Sequence, residues 1–585
     1  MRLILGRNLP RALREALDAC REHLLLAAGL SALINLLYLA PTLYMMQVYD
    51  RVVPTSGTLT LFWITLVVAF ALVTLAVLDN IRSRILIRAS LRVERALAEH
   101  ILDCQLAAQP STEDRQANMQ AMREFDALRQ FIGGAGLAVI FDIPWLPIFV
   151  LVAFLLHPLL GALILVGGAL LAGITWFNER ATRERLREGL LATAQFHAAQ
   201  DRISARSETV RALGMRRALV KRQLGLRSRG LSMSVAAQFD GGRYTAAAKF
   251  LRLLLQSLAL GMAAWLAVER EISVGAIIAG SVLLSRALQP VEQLVAAWPS
   301  IAQARQAVVT LGQLFARSQT SDTARTMLPR PAGRIDVQRL FVSAPQGDAL
   351  LLKDVSFVSA PGQVIGVIGP SGAGKTTLAR VLAGAVRPDG GNVRFDGASM
   401  QDWDPEVLAA HIGYLPQDYL LFAGTVAENI SRFAAASGAS AKTVSNEVIA
   451  AAKMAGAHDM ILALPGGYDA YVGFDGEGLS AGQRQRIALA RALYGDPSIV
   501  ILDEPNAALD AEGEAALARA IQTLRNRGAT VVIVAHRAGI LSVADWLLVL
   551  ARGTVERYGP RSDVLAALAA RSERSNVVTM TSGQH

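Results

Sequence analysis

The sequence predicts an all-α membrane domain of six helices, followed by an α/β domain organised around a phosphate-binding loop. Three observations predict it. Of 585 residues, 52% are hydrophobic and only 18% charged, against about 25% charged in soluble domains. Every apolar stretch long enough to cross a bilayer lies in the first half. The second half instead alternates short β-type runs with helices and places one Gly-rich loop between a strand and a helix. A disordered chain, a secreted mini-protein and a wholly soluble enzyme are excluded. The length alone suggests roughly four domains at about 150 residues each, but the segments reduce this to two.

Crossing a hydrocarbon core of about 30 Å takes ~20 helical residues. Six stretches qualify, at 24–46, 58–78, 133–156, 158–177, 248–268 and 273–296. The first is no cleaved signal peptide, because it is too long for such a core and no small-residue cleavage site follows. The links orient the spans. Arg2, Arg7, Arg11, Arg14 and Arg21 precede the first span, and Arg82, Arg84, Arg88, Arg92 and Arg95 follow the second. The turn at His157 and Pro158 has no Lys or Arg. The positive-inside rule therefore places residues 1–22 and the long links 79–132 and 178–247 in the cytoplasm. Both links keep apolar residues at helical spacing, which predicts helices continuing well beyond the bilayer.

The net charge of +10 is thus mostly an orientation signal and solvated helix faces, with contact to anionic membrane lipid as a lesser reading and no nucleic-acid partner. Asp142, Arg252 and Arg286 fall inside spans, where a charge near the bilayer centre costs ~2.5–3.5 kcal/mol. Asp142 stands in FDIPWLPIF, where Pro144 and Pro147 disrupt the helix. It either lines a polar cavity or marks the end of the span. Cys20 and Cys104 are too few for a disulfide framework and no Cys/His set suggests zinc; two ordinary buried thiols are expected.

After Ser318 a polar, Pro-containing linker (319–333) leads to an α/β domain at 334–570 and a flexible tail at 571–585. In VIGVIGPSGAGKTTLARVLAG the strand Val364–Ile368 feeds a loop of Gly369, Pro370, Ser371, Gly372, Ala373 and Gly374, followed by Lys375, Thr376 and Thr377. Such a loop turns successive backbone N–H groups toward phosphate oxygens, and the helix N-terminus adds positive potential. Lys375 is positioned for the β- and γ-phosphates and the Thr376 hydroxyl for Mg²⁺. A second strand, SIVILDE, ends in Asp503, a Mg²⁺-supporting carboxylate, and Glu504, a candidate general base for the attacking water.

Between these motifs lies GEGLSAGQRQRIALARALYGDP, and here the second half resembles an ATP-binding cassette. LSAGQ matches the family signature, so the resemblance implies that Ser480, Gly482, Gln483 and their helix end contact the γ-phosphate of ATP. Gln417 in YLPQD matches the Q-loop that senses Mg²⁺ and nucleotide; NAALD resembles the D-loop; His536 in VIVAHR resembles the switch histidine. Three positions depart from the commonest pattern. Ala481 replaces a signature Gly, Asn506 a D-loop Ser, and Ala344 stands where an adenine-stacking aromatic is usual, with Phe341 a weak substitute. One phosphate loop and one signature per chain imply a homodimer with two composite sites.

The fold class implied is a six-helix exporter-type transmembrane domain (23–318) fused to an α/β P-loop ATP-binding cassette. LYMMQVYDRVVPTSG and FDIPWLPIFVLVAFLLHPLLG are similar to the membrane domain of type I protein secretion permease/ATPases, and LSAGQRQR with DEPNAALDAEGEAAL resembles the PrtD-like subgroup. That resemblance implies ATP-driven export of unfolded polypeptides with C-terminal signals across the bacterial inner membrane. It also implies a periplasmic adaptor (membrane fusion protein), an outer-membrane channel and a secreted protein substrate as partners. About 20 residues before the first span leave no room for a peptidase-like domain, so leader cleavage is not expected. The alternatives are an exporter of lipids or small hydrophobic molecules and a membrane-anchored regulatory ATPase.

Overall fold

The computed structural model describes residues 9–107, 112–204, 206–319, 328–344, 349–536 and 538–570. The expected tail, linker residues 320–327, and Arg2 and Arg7 lie outside the described residues. The chain divides into two compact units, Met1–Ser321 and Asp322–His585.

The first unit is helical throughout its described residues, and six of its segments are long and apolar enough to cross a membrane: Arg21–Thr55, Thr58–Ala107, Ala135–Leu156, Pro158–Asp201, Arg216–Val268 and Val274–Ala316. It opens with α1 (Arg11–Ala19), whose Leu13, Ala16 and Leu17 are buried while Arg11, Arg14 and Glu15 face outward. Residues 11–19 thus do more than carry orienting charge. Their apolar face joins a core with Leu97 and Ile101 of α4 (Thr58–Ala107), Phe125 and Leu128 of α5 (Thr112–Gly133), and Leu311 and Phe315 of α11 (Val274–Gln319).

The first span is not one helix. α2 (Arg21–Leu37) closes where the Leu39 N–H reaches back to Leu36 O at 3.1 Å, and α3 (Ala40–Gln47) restarts with Pro41 in its first turn. A proline there removes no helical hydrogen bond but clashes with continuation from the preceding turn. The third span breaks for the same reason, into α6 (Ala135–Asp142), a 3₁₀ turn Ile143–Trp145 containing Pro144, and α7 (Leu146–Leu156) with Pro147 in its first turn. Three long helices follow or flank the bundle, α8 (Pro158–Ser204), α10 (Arg216–Val268), separated from it by the short α9 (Ser207–Ala212), and α11. On α4 the apolar side chains Leu59, Phe62, Trp63, Val67, Phe70 and Val73 are exposed in one continuous band. A soluble monomer rarely shows so large an apolar surface; in lipid it is the solvated face.

The intramembrane charges are placed differently from one another. Asp142 is held in a polar network: it accepts from Arg82 Nη1 (2.8 Å) and Asn35 Nδ2 (3.0 Å), while Arg82 also reaches Ser31 Oγ (2.8 Å) and Asp79 (2.7 Å). Arg252 pairs with Glu292 and donates to Ser285 Oγ at 3.0 Å. Arg286 lies over the Tyr38 ring, 4.4 Å from its centroid, an attraction worth about 0.5–2 kcal/mol and so below the cost of a charge at that depth. Near the short turns, Asp50 accepts from Gly275 N (2.7 Å) and Ser273 Oγ (2.6 Å) and caps the start of α11. A Cβ on Gly275 would stand 2.6 Å from Met46 O, so only glycine allows this approach. Cys20 and Cys104 are free and buried.

The second unit is built on a six-stranded sheet. Its order is β12 (Thr554–Pro560), β11 (Trp546–Ala551), β3 (Val364–Ile368), β10 (Thr530–Val534), β9 (Ile499–Asp503) and β6 (Ile412–Leu415), parallel except for β12 at the edge. Strands covered on both faces read as continuous apolar runs. Val500 and Leu502 of β9 enter one core, and Ile499 and Ile501 enter the other. A smaller antiparallel sheet, β2 (Leu350–Ser359), β1 (Ile335–Ser343), β4 (Gly390–Phe395) and β5 (Ala398–Ser399), closes the second core. The helices that matter for the site are α12 (Lys375–Leu382), α13 (Ala481–Leu493) and α14 (Ala511–Asn526).

Candidate nucleotide site

The site forms at the ends of three adjacent parallel strands, β3, β10 and β9, the end of the sheet at which open α/β folds bind ligands. β3 runs into the Gly369–Gly374 loop and then α12. Gly374 has φ of +97°, and a Cβ on it would stand 2.7 Å from Leu352 Cδ2 and 2.8 Å from Leu351 O; at Gly369 a Cβ would meet Leu550 O at 2.1 Å. These two glycines let the loop lie flat against β2 and β11. Inside it, the Lys375 ammonium donates to Gly369 O and Pro370 O, both at 2.9 Å, and the residue is only 5% exposed. Burial lowers its pKa, with the charges of Glu504 and Asp503 opposing.

Asp503 ends β9 at 1% exposure. The Thr376 hydroxyl donates to its Oδ1 at 3.4 Å, whereas Oδ2 is buried without a hydrogen-bond partner. Burial pushes the carboxyl up to about 6; the Thr376 hydrogen bond and the charges of Lys375 and His536 pull down, and Glu504 pushes up. A hydroxyl beside a carboxylate with an unsatisfied buried oxygen is a donor set suited to Mg²⁺, a hard cation that takes oxygen ligands.

Glu504 follows at φ +52°, a left-handed conformation uncommon outside glycine, and its N–H donates to Val534 O at 2.9 Å, extending the β9–β10 pairing. Its Oε1 lies 3.0 Å from His536 Nε2. The structure thus joins Lys375, Thr376, Asp503, Glu504 and His536 in one cluster. Gly369, Pro370, Ser371, Gly372, Ala373 and Thr377 line or directly follow the same loop. Gln417 is elsewhere in the unit's detail: it is exposed two residues beyond β6, and among the described residues it makes no hydrogen bond to Thr376 or Asp503.

The signature residues begin α13. Ser480 is its N-cap, accepting from Gln483 N (3.3 Å), and Gln483 Oε1 accepts from Ser480 N (2.9 Å), a reciprocal capping box. Gly482 faces Ala508, where a Cβ would lie 3.2 Å from its carbonyl oxygen. Sequence reasoning missed Gln485. At 1% exposure its amide donates to Pro505 O and accepts from Ala508 N (3.0 Å), fastening α13 to the 505–508 segment. Its signal was a polar residue on the apolar stripe of Ala488, Leu489 and Ala492. Asn506, at the departing D-loop position, donates to Glu514 Oε1 at 3.1 Å. The Ala344 N–H donates to Ala349 O (2.8 Å), and Phe341 packs beside Gly390, opposite it in the β1–β4 register.

A Gly-rich loop cradling a lysine, two acids at a strand end, and a six-span helical unit on the same chain define an ATP-hydrolysing membrane transporter. The ABC transporter family model matches residues 352–507 and the ABC transporter transmembrane region model residues 24–291. The chain is 38% identical to the type I secretion system ATP-binding protein PrsD of Rhizobium meliloti, over 98% of this chain and 97% of that one. It is 29% identical to the alpha-hemolysin translocation ATP-binding protein HlyB of Escherichia coli, over 92% of this chain and 75% of that one. Its fold is that of a bacterial Atm1-family ABC exporter solved with ATP bound, at a TM-score of 0.77 and 24% identity over 96% of this chain and 98% of that one. The chain belongs to the type I secretion ATP-binding proteins of the ABC transporter family. It binds nucleotide and is a multi-pass membrane protein.

Proposed function

We propose that this chain is the ATP-driven motor of protein export from the bacterial cytoplasm, working as a homodimer in the inner membrane with both cassettes cytoplasmic. Its cargo is an unfolded polypeptide carrying a C-terminal signal, passed to a periplasmic adaptor and an outer-membrane channel. In each site the backbone N–H groups of residues 371–377 and the Lys375 ammonium hold the phosphates. Thr376, Asp503 and Gln417 hold Mg²⁺, which supplies charge neutralisation on the transferred phosphoryl group. Glu504 takes the proton of the attacking water, and His536, oriented by Glu504, contacts the γ-phosphate. Ser480, Gly482 and Gln483 of the other copy complete the site, using the positive end of α13.

The observation that carries this reading is the 3.0 Å contact of Glu504 with His536 beside the unsatisfied Asp503 oxygen, in a chain resembling a secretion motor along its whole length. Replacing Glu504 with Gln keeps the shape and removes the base. Turnover by the full-length protein is expected to fall at least about a hundredfold with ATP affinity unchanged. Near-normal hydrolysis in that variant sinks the base assignment, and ATPase activity that responds to lipids and ignores secretion-signal peptides sinks the protein cargo.

A further inference from the structure

Of the three ionisable residues that the sequence places at membrane depth, Asp142 is neutralised by Arg82 and Arg252 by Glu292. Arg286 is not. Among the described residues no carboxylate lies within ion-pair distance of it; its guanidinium covers the Tyr38 ring and donates one hydrogen bond, to Gln289 Oε1 at 3.3 Å. A ring face attracts a cation without cancelling its charge, and a guanidinium has five N–H donors in a planar fork.

Its position is specific. Arg286 stands twelve residues after Val274, where α11 begins, about 18 Å along the helix axis and so near the middle of a hydrocarbon core of about 30 Å. The accessible side of α11 there is mostly polar, with half-buried Val282 and Val291 beside it. Ser285, Arg286, Gln289, Glu292 and Gln293 recur at spacings of three and four and are half-buried or exposed, whereas Leu283, Leu284, Ala287 and Leu288 between them are buried. A polar stripe with a net charge does not face hydrocarbon; such residues face a bundle interior or a water-filled path. With Glu292 spent on Arg252, the stripe carries one uncompensated positive charge.

We propose that Arg286 is a specificity-determining contact of the export path, a fixed cation at mid-membrane that engages acidic side chains of the polypeptide in transit. Tyr38 holds the guanidinium from one face and Gln289 takes one donor, which leaves the edge of the fork for a carboxylate. The inference rests on the protein-export reading and names the chemistry its cargo presents.

The test uses the full-length protein in lipid nanodiscs and a fluorescent, unstructured peptide of Gly, Ser and Glu, with Gln-for-Glu and Lys-for-Glu counterparts, read by anisotropy. The wild type is expected to bind the Glu peptide about tenfold tighter than the Gln peptide, the scale of one charge-assisted contact. Arg286→Gln should erase that ratio with the Gln-peptide affinity unchanged, Arg286→Lys should keep it, and Arg286→Glu should invert the preference toward Lys. The lysine variant and the inversion guard against a fold defect. An undiminished acidic preference in Arg286→Gln, or an equal loss for all peptides, overturns the assignment. A wild type that binds all three peptides alike overturns only the charge recognition; one that binds none overturns the export reading with it.

Discussion

The two units bury charge in opposite ways. In the membrane unit, Asp142 meets Arg82 and Asn35, and Arg82 in turn meets Ser31 and Asp79, so the network is closed apart from Arg82 Nε. In the cassette, Asp503 is more deeply buried yet keeps an unsatisfied carboxylate oxygen, and burial pushes its pKa up. A closed ion-pair network holds helices together. An open one is held ready for something that arrives from outside.

The comparison breaks most readily at Asp142. Replacing it with Asn leaves the buried Arg82 guanidinium with only the half-exposed Asp79 as counter-charge, a loss of about 3 kcal/mol, the low end for a broken buried pair. The membrane unit should unfold at clearly lower temperature while nucleotide binding by the cassette is retained; an unchanged melting temperature would mean that water already screens the pair. Gln485→Ala tests the closed polar contact inside the cassette. It orphans Pro505 O and Ala508 N, so a loss of about 2–3 kcal/mol in chemical denaturation is expected, along with faster proteolysis in the 505–510 segment. The smallest effect is at Asp50. Its change to Ala removes the cap of α11 and should cost about 1 kcal/mol, read as a shift of thermal midpoint in detergent with ATPase activity intact.

What could be read from the sequence follows the range of the interactions involved. The phosphate loop was legible because its glycines answer to backbone geometry within a few residues, and Asp503 and Glu504 because a buried strand ending in two acids has few other uses. The six spans were legible from length and apolarity alone. The break at Tyr38–Leu39 was missed although Pro41 signals it, since an apolar run of that length hides a proline that sits harmlessly in a first helical turn. The partners of Asp142, Arg252 and Arg286 could not be read: Arg82 is 60 residues from Asp142, and Glu292 is 40 from Arg252, and helix pairing decides both. Gln485 was passed over because one polar residue within QRQR looks like part of a solvated face until its two partners are seen.

The long helices carry a mechanical consequence. α4 runs unbroken for 50 residues, about 75 Å at 1.5 Å per residue, of which only about 30 Å lies in hydrocarbon. The remaining rod of about 45 Å is stiffened along its length by Leu97, Ile101 and Cys104 packing against α5 and α11. Tilting such a rod by about 5° displaces its far tip by about 4 Å. Rotations too small to disturb the lipid-facing surface are therefore converted into displacements the size of a side chain.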